Sequence, residues 1–153
     1  VVFWRICRKA RAKTAFDGEG ARRNPGRWNH KDIAVVYCAS SLSLATLEYF
    51  VHLDPEDMPD DLVAIRAELH DSVIVERVDP KTLPTNWRKC PPPATVKDLG
   101  SAWVASLRTL ALVVPSAITP SEDNIVLNPR HVDMAKIARD PPEPFAFDPR
   151  LRK

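Results

Sequence analysis

Glycine is scarce in this chain, with 4 residues in 153 against 15 prolines. That imbalance argues against flexible linkers and for stiff connections between many short elements. Several motifs are missing altogether. There is no GxGxxG, P-loop or HExxH, so dinucleotide-fold, nucleotide triphosphatase and metalloprotease readings lack support. No Gly-x-Ser-x-Gly elbow surrounds any serine, which removes the usual acyl-transfer nucleophile. The cysteines Cys7, Cys38 and Cys90 are odd in number, irregularly spaced and lack a CxxC, which disfavours a disulfide framework and a zinc site. A reducing compartment and no bound metal are expected. No apolar run approaches the roughly 18 residues of a membrane span. No signal-like start is seen either, so a cytoplasmic protein without membrane contact is expected.

What is present points to one globular domain over residues 1–153, with 44% hydrophobic and 27% charged residues. The net charge is only +2, but it is unevenly spread. Residues 1–31 hold nine Lys or Arg against Asp17 and Glu19, whereas Asp54–Asp61 holds five acids and no base. A basic end suits an anionic ligand, whether nucleotide, nucleic acid or phosphate. The acidic run, broken by Pro55 and Pro59, reads as a solvated loop.

Hydrophobic periodicity predicts short strands with two or three helices, an α+β domain. Strands are expected at Val1–Ile6, Ile33–Cys38, Leu110–Val114 (with Ile118 resuming after a kink) and Asn124–Leu127. Leu62–Leu69 and Ser72–Val78 alternate with period two, and His70–Asp71 between them predicts a hairpin. Arg8–Arg27 reads as a long polar loop, and a loop of that length is more often functional than idle. Ser41 or Ser43 is expected to cap a helix reaching about Leu53, with Leu44, Ala45, Leu47 and Val51 facing the core. Thr95–Arg108 reads as an amphipathic helix in which Gly100 costs roughly 1 kcal/mol against alanine. Trp87 is the expected anchor of an irregular Pro80–Pro93. His131–Ala138 is expected to form a helical turn, and Phe145, Phe147 and Leu151 to pack the proline-rich tail onto the body.

Among side chains with chemistry to offer, Arg27 follows the rigid Pro25–Gly26 turn, and a guanidinium is a planar phosphate fork. Arg22, Arg23, Trp28 and Asn29 surround it. Glu48 is an acid in a helix whose neighbours are nearly all apolar, a setting that tunes carboxylates. Such a group steadies developing positive charge at a sugar carbon or binds sugar hydroxyls. His52 lies four residues on, one helical turn away. Tyr37 ends the strand before that helix, where its ring can stack on a planar ligand or simply pack in the core. Ser116 follows Pro115 at a strand end, in reach of a ligand amide or ribose.

Four separated blocks, FWRI, GEGARRNPGRWN, VVYCASSLSLATLEYFVHL and VVPSAITPSEDNIVLNPRH, follow in order the pattern of the Arg-Glu-Ser (RES) domain family. The resemblance continues to PFAFDPRL near the end. It maps the family's triad onto Arg27, Glu48 and Ser116, and it also matches Arg5, Tyr37 and the His131 block. Pro25 stands where a second glycine is expected, and His30–Lys31–Asp32 where a glycine is common. Neither removes a triad member.

The resemblance implies a split, mostly antiparallel β core with flanking helices, similar to ADP-ribosyltransferases. It also implies NAD as substrate and a role as the toxin half of a bacterial toxin–antitoxin pair. Members cleave the nicotinamide–ribose bond. They either transfer ADP-ribose to a protein, one reported class being phosphoribosyl-pyrophosphate synthetase, or deplete NAD by hydrolysis or phosphorolysis. The implied partner is a helix-turn-helix antitoxin that covers the active-site entrance. On this reading Arg27 and Arg5 serve the pyrophosphate, Glu48 the ribose and its developing charge. Ser116 and Tyr37 fix the ribose or nicotinamide, and His52 binds substrate or holds Glu48. Direct nucleic-acid binding is not expected, although an RNA-binding or RNA-cleaving toxin is the rival that the basic third would also serve.

Overall fold

A computed structural model describes residues 1–152. The chain opens with β1 (Val2–Arg8) and a 3-10 turn at Lys9–Thr14, then the short helix α1 (Glu19–Arg23). The expected polar loop between Arg8 and Arg27 is therefore largely helical, ordered by the Glu19–Arg22 pair at 2.9 Å. Next come β2 (Val36–Ala39), α2 (Leu42–Phe50), β3 (Leu62–Leu69), β4 (Val75–Arg77) and α3 (Ala94–Ser106). The chain finishes with β5 (Ala111–Pro115), β6 (Asp123–Leu127), β7 (Ile137–Arg139) and β8 (Glu143–Phe145).

All eight strands join one sheet in the order β4-β5-β6-β2-β1-β3-β7, with β8 also pairing β3. Every pairing is antiparallel except β4 with β5. β1 and β3 match over seven residue pairs, but β1 meets β2 at the single pair Trp4–Ala39. The sheet is thus split there into two halves. The expected split antiparallel α+β core is what forms.

Strand alternation divides the apolar side chains between the two faces of the sheet. One face contributes Phe3, Cys7, Val36, Cys38, Val63, Ile65, Ala111, Val113, Ile125 and Leu127 to an interior core. Each fully buried aliphatic side chain there contributes about 1.5–3 kcal/mol. The other face carries two separate flanks. Leu112, Val114 and Val126 pack under α3 with Val96, Trp103 and Trp28, while Ile6, Ala39, Leu62 and Ala64 pack under α2 with Leu44 and Ala45. The two helices therefore stand on opposite sides of the split.

Three local expectations are corrected and one, the helical turn after His131, is shortened. Leu62–Leu69 and the following strand do not form a hairpin, because β4 crosses to pair in parallel with β5. The His70 ring accepts from Ser72 N–H at 3.1 Å and closes the turn on itself, and neither His70 nor Asp71 takes the left-handed backbone of a tight hairpin. Ile118 does not resume β5, since the chain turns at Ser116–Thr119. His131 caps a 3-10 turn at Val132–Lys136, accepting from Asp133 N–H, and the chain then extends into β7. Phe145 and Phe147 do pack onto α2 beside Tyr49, as expected, but Leu151 stays exposed.

The orientation of α2 matters most. Ser41 is its cap, accepting from Leu44 N–H at 3.0 Å. The inward stripe runs through Leu44, Ala45 and the part-buried Glu48 and Tyr49, while Leu47 and Val51 are 41% and 59% exposed. The expected core face was thus misplaced by about one residue's rotation. The consequence is that Glu48 points towards the split.

α3 explains its own glycine. A Cβ on Gly100 would lie 1.8 Å from the Trp28 carbonyl oxygen. The helix-propensity cost is therefore the condition for the Arg27 loop to lie against α3. Ser101 Oγ and Asp98 hold the same loop, through His30 N–H at 3.0 Å and the His30 ring at 2.6 Å. The helix ends at Leu107, whose positive φ of 53° turns the chain.

Candidate active site

Two positions singled out from sequence, Glu48 and Ser116, are joined directly, and a third, Arg27, lies nearby. Glu48, on α2, accepts a 2.8 Å hydrogen bond from Ser116 Oγ on Oε1. Ser116 directly follows β5, is fully buried, and accepts in turn from the N–H groups of Ile118 and Thr119, each at 3.1 Å. A hydroxyl has one proton to give. With both acceptor positions filled from the following turn, that proton goes to Glu48.

Arg27 approaches from the α3 side. Its Nη1 donates to the carbonyls of Trp87 at 2.7 Å and Lys89 at 2.8 Å. Arg88 between them donates to Ala117 O at 2.9 Å, so this segment ties the Arg27 loop to the turn after Ser116. Burial holds the Arg27 guanidinium below its usual range, against the opposing influence of Cys90, Glu48 and Tyr37. It remains a cation at neutral pH. Glu48 lies near enough to Arg27 to act on the guanidinium through space.

Tyr37 and Asn29 build the loop that presents Arg27. The Tyr37 hydroxyl donates to Asn29 Oδ1 at 2.6 Å and accepts from Trp28 N–H at 2.9 Å. Burial pushes that hydroxyl well above its usual range, so it stays protonated. Asn29, fully buried, also accepts from Gly26 N–H and donates to the carbonyls of Ala21, His30 and Ile33. A Cβ on Gly26 would meet the Tyr37 ring at 2.7 Å, so the glycine lets the turn rest on that ring. Sequence reading had noted Asn29 only as a neighbour, yet it organises the loop. An asparagine between Trp28 and a polar stretch carries no local sign of this.

Arg5 spans the divergence of β1 and β2, with Nη1 donating to Tyr37 O at 2.7 Å. Its Nε is buried and has no partner among the described residues. His52 lies beyond the end of α2, exposed, and makes no side-chain bond to Glu48. It lines a concavity of about 480 Å³ with Arg5, Arg8, Arg11, Tyr49 and Asp57. Arg22 pairs with Glu19 and Asp32 and faces a second concavity, while Arg23 is exposed. Asn124 was overlooked altogether: its Nδ2 donates to Glu48 Oε1 at 2.6 Å.

A split, mostly antiparallel sheet carrying a hydrogen-bonded carboxylate, Glu48, near a guanidinium, Arg27, is of the ADP-ribosyltransferase-like kind. The chain belongs to the RES domain family, whose model matches residues 2–148. It is 40% identical to a protein named "Toxin Res" from Yersinia enterocolitica over 99% of this chain and 100% of that one. It is 39% identical to the "Prs ADP-ribosylating toxin" of a Sphingobium species, over 97% and 95% of the two chains. A solved structure of the M. tuberculosis MbcT–MbcA toxin–antitoxin complex has the same fold, with a TM-score of 0.74 and 19% identity over 99% of this chain and 86% of that chain. These relatives bear out the expected class, a NAD-utilising toxin enzyme. Among the described residues no helix is long and apolar enough to cross a membrane, and no His, Cys, Asp and Glu cluster is arranged to hold a metal.

Proposed function

We propose that this chain breaks the nicotinamide–ribose bond of NAD and passes ADP-ribose to a protein, so inhibiting bacterial growth from within the cytoplasm. The observation that carries the reading is Glu48, with Oε1 loaded by two donors and Oε2 reached by none among the described residues. Oε2 is also absent from the buried unpaired atoms, so it is open to a ligand.

NAD supplies a nicotinamide that is already cationic, so its departure with the bonding electron pair needs no proton. What the site must do is stabilise the positive charge left on the ribose. Oε2 of Glu48 accepts from ribose hydroxyls and faces that charge, an electrostatic task in a part-buried setting where water does not dilute it. Arg27 provides Nε and Nη2 for the pyrophosphate while Nη1 stays bound to the protein. Arg5 and His52, which share the lining of one concavity, serve the binding side. Tyr37 acts by holding the loop that presents Arg27. Ser116 acts at Glu48. The acceptor then forms the new bond at the ribose carbon and loses its proton to solvent.

A phosphoribosyl-pyrophosphate synthetase is the candidate target, on the name of the 39% identical Sphingobium relative. A helix-turn-helix antitoxin is the proposed partner, supported by the antitoxin-bound state of the neighbour of shared fold. The test incubates purified protein with adenylate-labelled NAD, with and without that synthetase. A labelled synthetase band together with released nicotinamide is expected. Nicotinamide release with no labelled protein, even in lysate, would make the chain a NAD hydrolase or phosphorylase. RNA affinity that falls steeply with salt, without NAD turnover, would replace the reading with that of an RNA-directed toxin.

A further inference from the structure

We propose that Asn124 is a positioning residue for the reaction: with Ser116 it holds Glu48 Oε1, leaving Oε2 as the one carboxylate oxygen presented to the ribose. This rests on the reading of Glu48 given above. Asn124 lies in β6, between β2 and β5, where it is paired with Ala39 and Val114. Its backbone is therefore fixed on both sides, on the outward face of the sheet beneath α2. From there Nδ2 reaches Oε1 at 2.6 Å, while Ser116 Oγ reaches the same atom at 2.8 Å.

Both donors are forced into that role. The Ser116 proton has nowhere else to go, because Ile118 and Thr119 N–H fill the other sides of the oxygen. Among the described residues the Asn124 side-chain amide makes one hydrogen bond, to Glu48, and its buried Oδ1 receives none. Turning the amide over would place that oxygen against a carboxylate oxygen at the same short distance, acceptor facing acceptor. The charge of Glu48 therefore sets the amide's orientation, and the amide fixes the carboxylate's. A buried acceptor without a partner is costly in itself. Its persistence beside the split is consistent with a geometry kept for the carboxylate rather than for local stability.

Two donors on one oxygen also divide the labour inside the carboxylate. Oε1 is anchored to two elements distant in sequence, 68 residues away through Ser116 and 76 through Asn124. Only Oε2 is left to respond to the ligand. A carboxylate free to rotate would share its charge between two directions and pay an ordering cost each turnover. One pinned through Oε1 is preorganised.

The experiment compares Asn124→Ala and Asn124→Asp with the unaltered full chain in NAD turnover, measured by nicotinamide release. Asn124→Ala is expected to lower kcat by about 30-fold with KM for NAD changed by less than about threefold. Asn124→Asp keeps the shape but sets a second carboxylate against Oε1, so its kcat falls below that of Asn124→Ala. A role in packing alone gives the reverse order, because aspartate fills the space that alanine leaves. That reverse order, or a loss confined to KM, would overturn the proposal.

A second measurement does not depend on NAD. In urea denaturation, Glu48→Ala and Asn124→Ala together are expected to shift the midpoint by clearly less than the sum of their separate shifts, because each removes the same contact. Strictly additive midpoints would overturn the clamp even if either variant were inactive. Absence of NAD turnover by the unaltered chain would instead refute the proposed function and leave this denaturation result to decide the clamp.

Discussion

Among the described residues two glutamates each accept hydrogen bonds from two side chains, Glu48 from Ser116 and Asn124 and Glu76 from Arg108 and Thr109, and the two are arranged differently. Glu76, in β4, is met by Arg108 Nε on Oε1 at 2.9 Å and by Nη2 on Oε2 at 3.0 Å, a bidentate pair at the exposed corner beyond α3. Both oxygens are used, by a partner 60% exposed to water. Glu48 receives both donors on one oxygen, from buried or strand-held neutral groups, and none on the other. A saturated carboxylate fastens a corner. A half-saturated one, held from behind, is a tool pointed at something else.

The comparison breaks first at Glu48 itself. Glu48→Gln is expected to reduce NAD cleavage by about 10³-fold, the scale of losing a preorganised electrostatic contact. The melting temperature should stay close to that of the parent. Loss of folding rather than turnover, seen by circular dichroism, would show the acid to be structural like Glu76.

Next in size is Ser116→Ala, which removes one donor to Oε1 and also strips the acceptor from Ile118 and Thr119 N–H. It should cost about 10–100-fold in kcat and roughly 1–3 kcal/mol in urea denaturation. An effect on both quantities together distinguishes it from Glu48→Gln. Tyr37→Phe tests the cationic side. Losing the hydroxyl between Asn29 Oδ1 and Trp28 N–H should cost about 1–2 kcal/mol. The kinetic signature should be a raised KM for NAD with kcat little changed, because the loop that carries Arg27 loosens.

The smallest effect belongs to Glu76→Gln, which should leave NAD turnover unaltered and change only the acid limb of stability. Arg108 beside Glu76 lowers its carboxyl below the ordinary value of 4.5. Its stabilising contribution is therefore present above that pH and is lost as pH falls through the lowered folded-state value. The parent and Glu76→Gln curves should converge in acid, a trend that thermal melts from pH 7 to pH 3 would check.

How much of this was legible in advance depends on the range of the interaction. The Ser41 cap of α2, the strands at Val2–Arg8 and Ala111–Pro115 and the helix α3 follow from local pattern, and the sequence blocks marked Arg27, Glu48 and Ser116. The direction of Glu48 did not follow. Leu44, Ala45, Leu47 and Val51 make a plausible inward stripe, and only the packing of the helix over β1, β2 and β3 reveals that Glu48 and Tyr49 turn inward in place of Leu47 and Val51. Asn124 is harder still. In sequence it is a polar residue at the start of a short strand, and its function arises from a helix 76 residues away. The hairpin expected at His70–Asp71 failed for a related reason, since β4 gains more from the parallel edge of β5 than from its neighbour in sequence.

Gly100 gives the molecule an unusual weak point. Because α3 touches the Trp28 carbonyl with no room for a methyl group, a single added carbon there must push the Arg27 loop outward. A growth-inhibiting protein is hard to accumulate in living cells, and Gly100→Ala offers a handle that changes none of the reacting side chains themselves. Such a chain would keep the Glu48, Ser116 and Asn124 cluster while its phosphate fork sits out of line. It would be an attenuated form, suitable for overproduction and for capturing partners that the active protein kills its host before meeting.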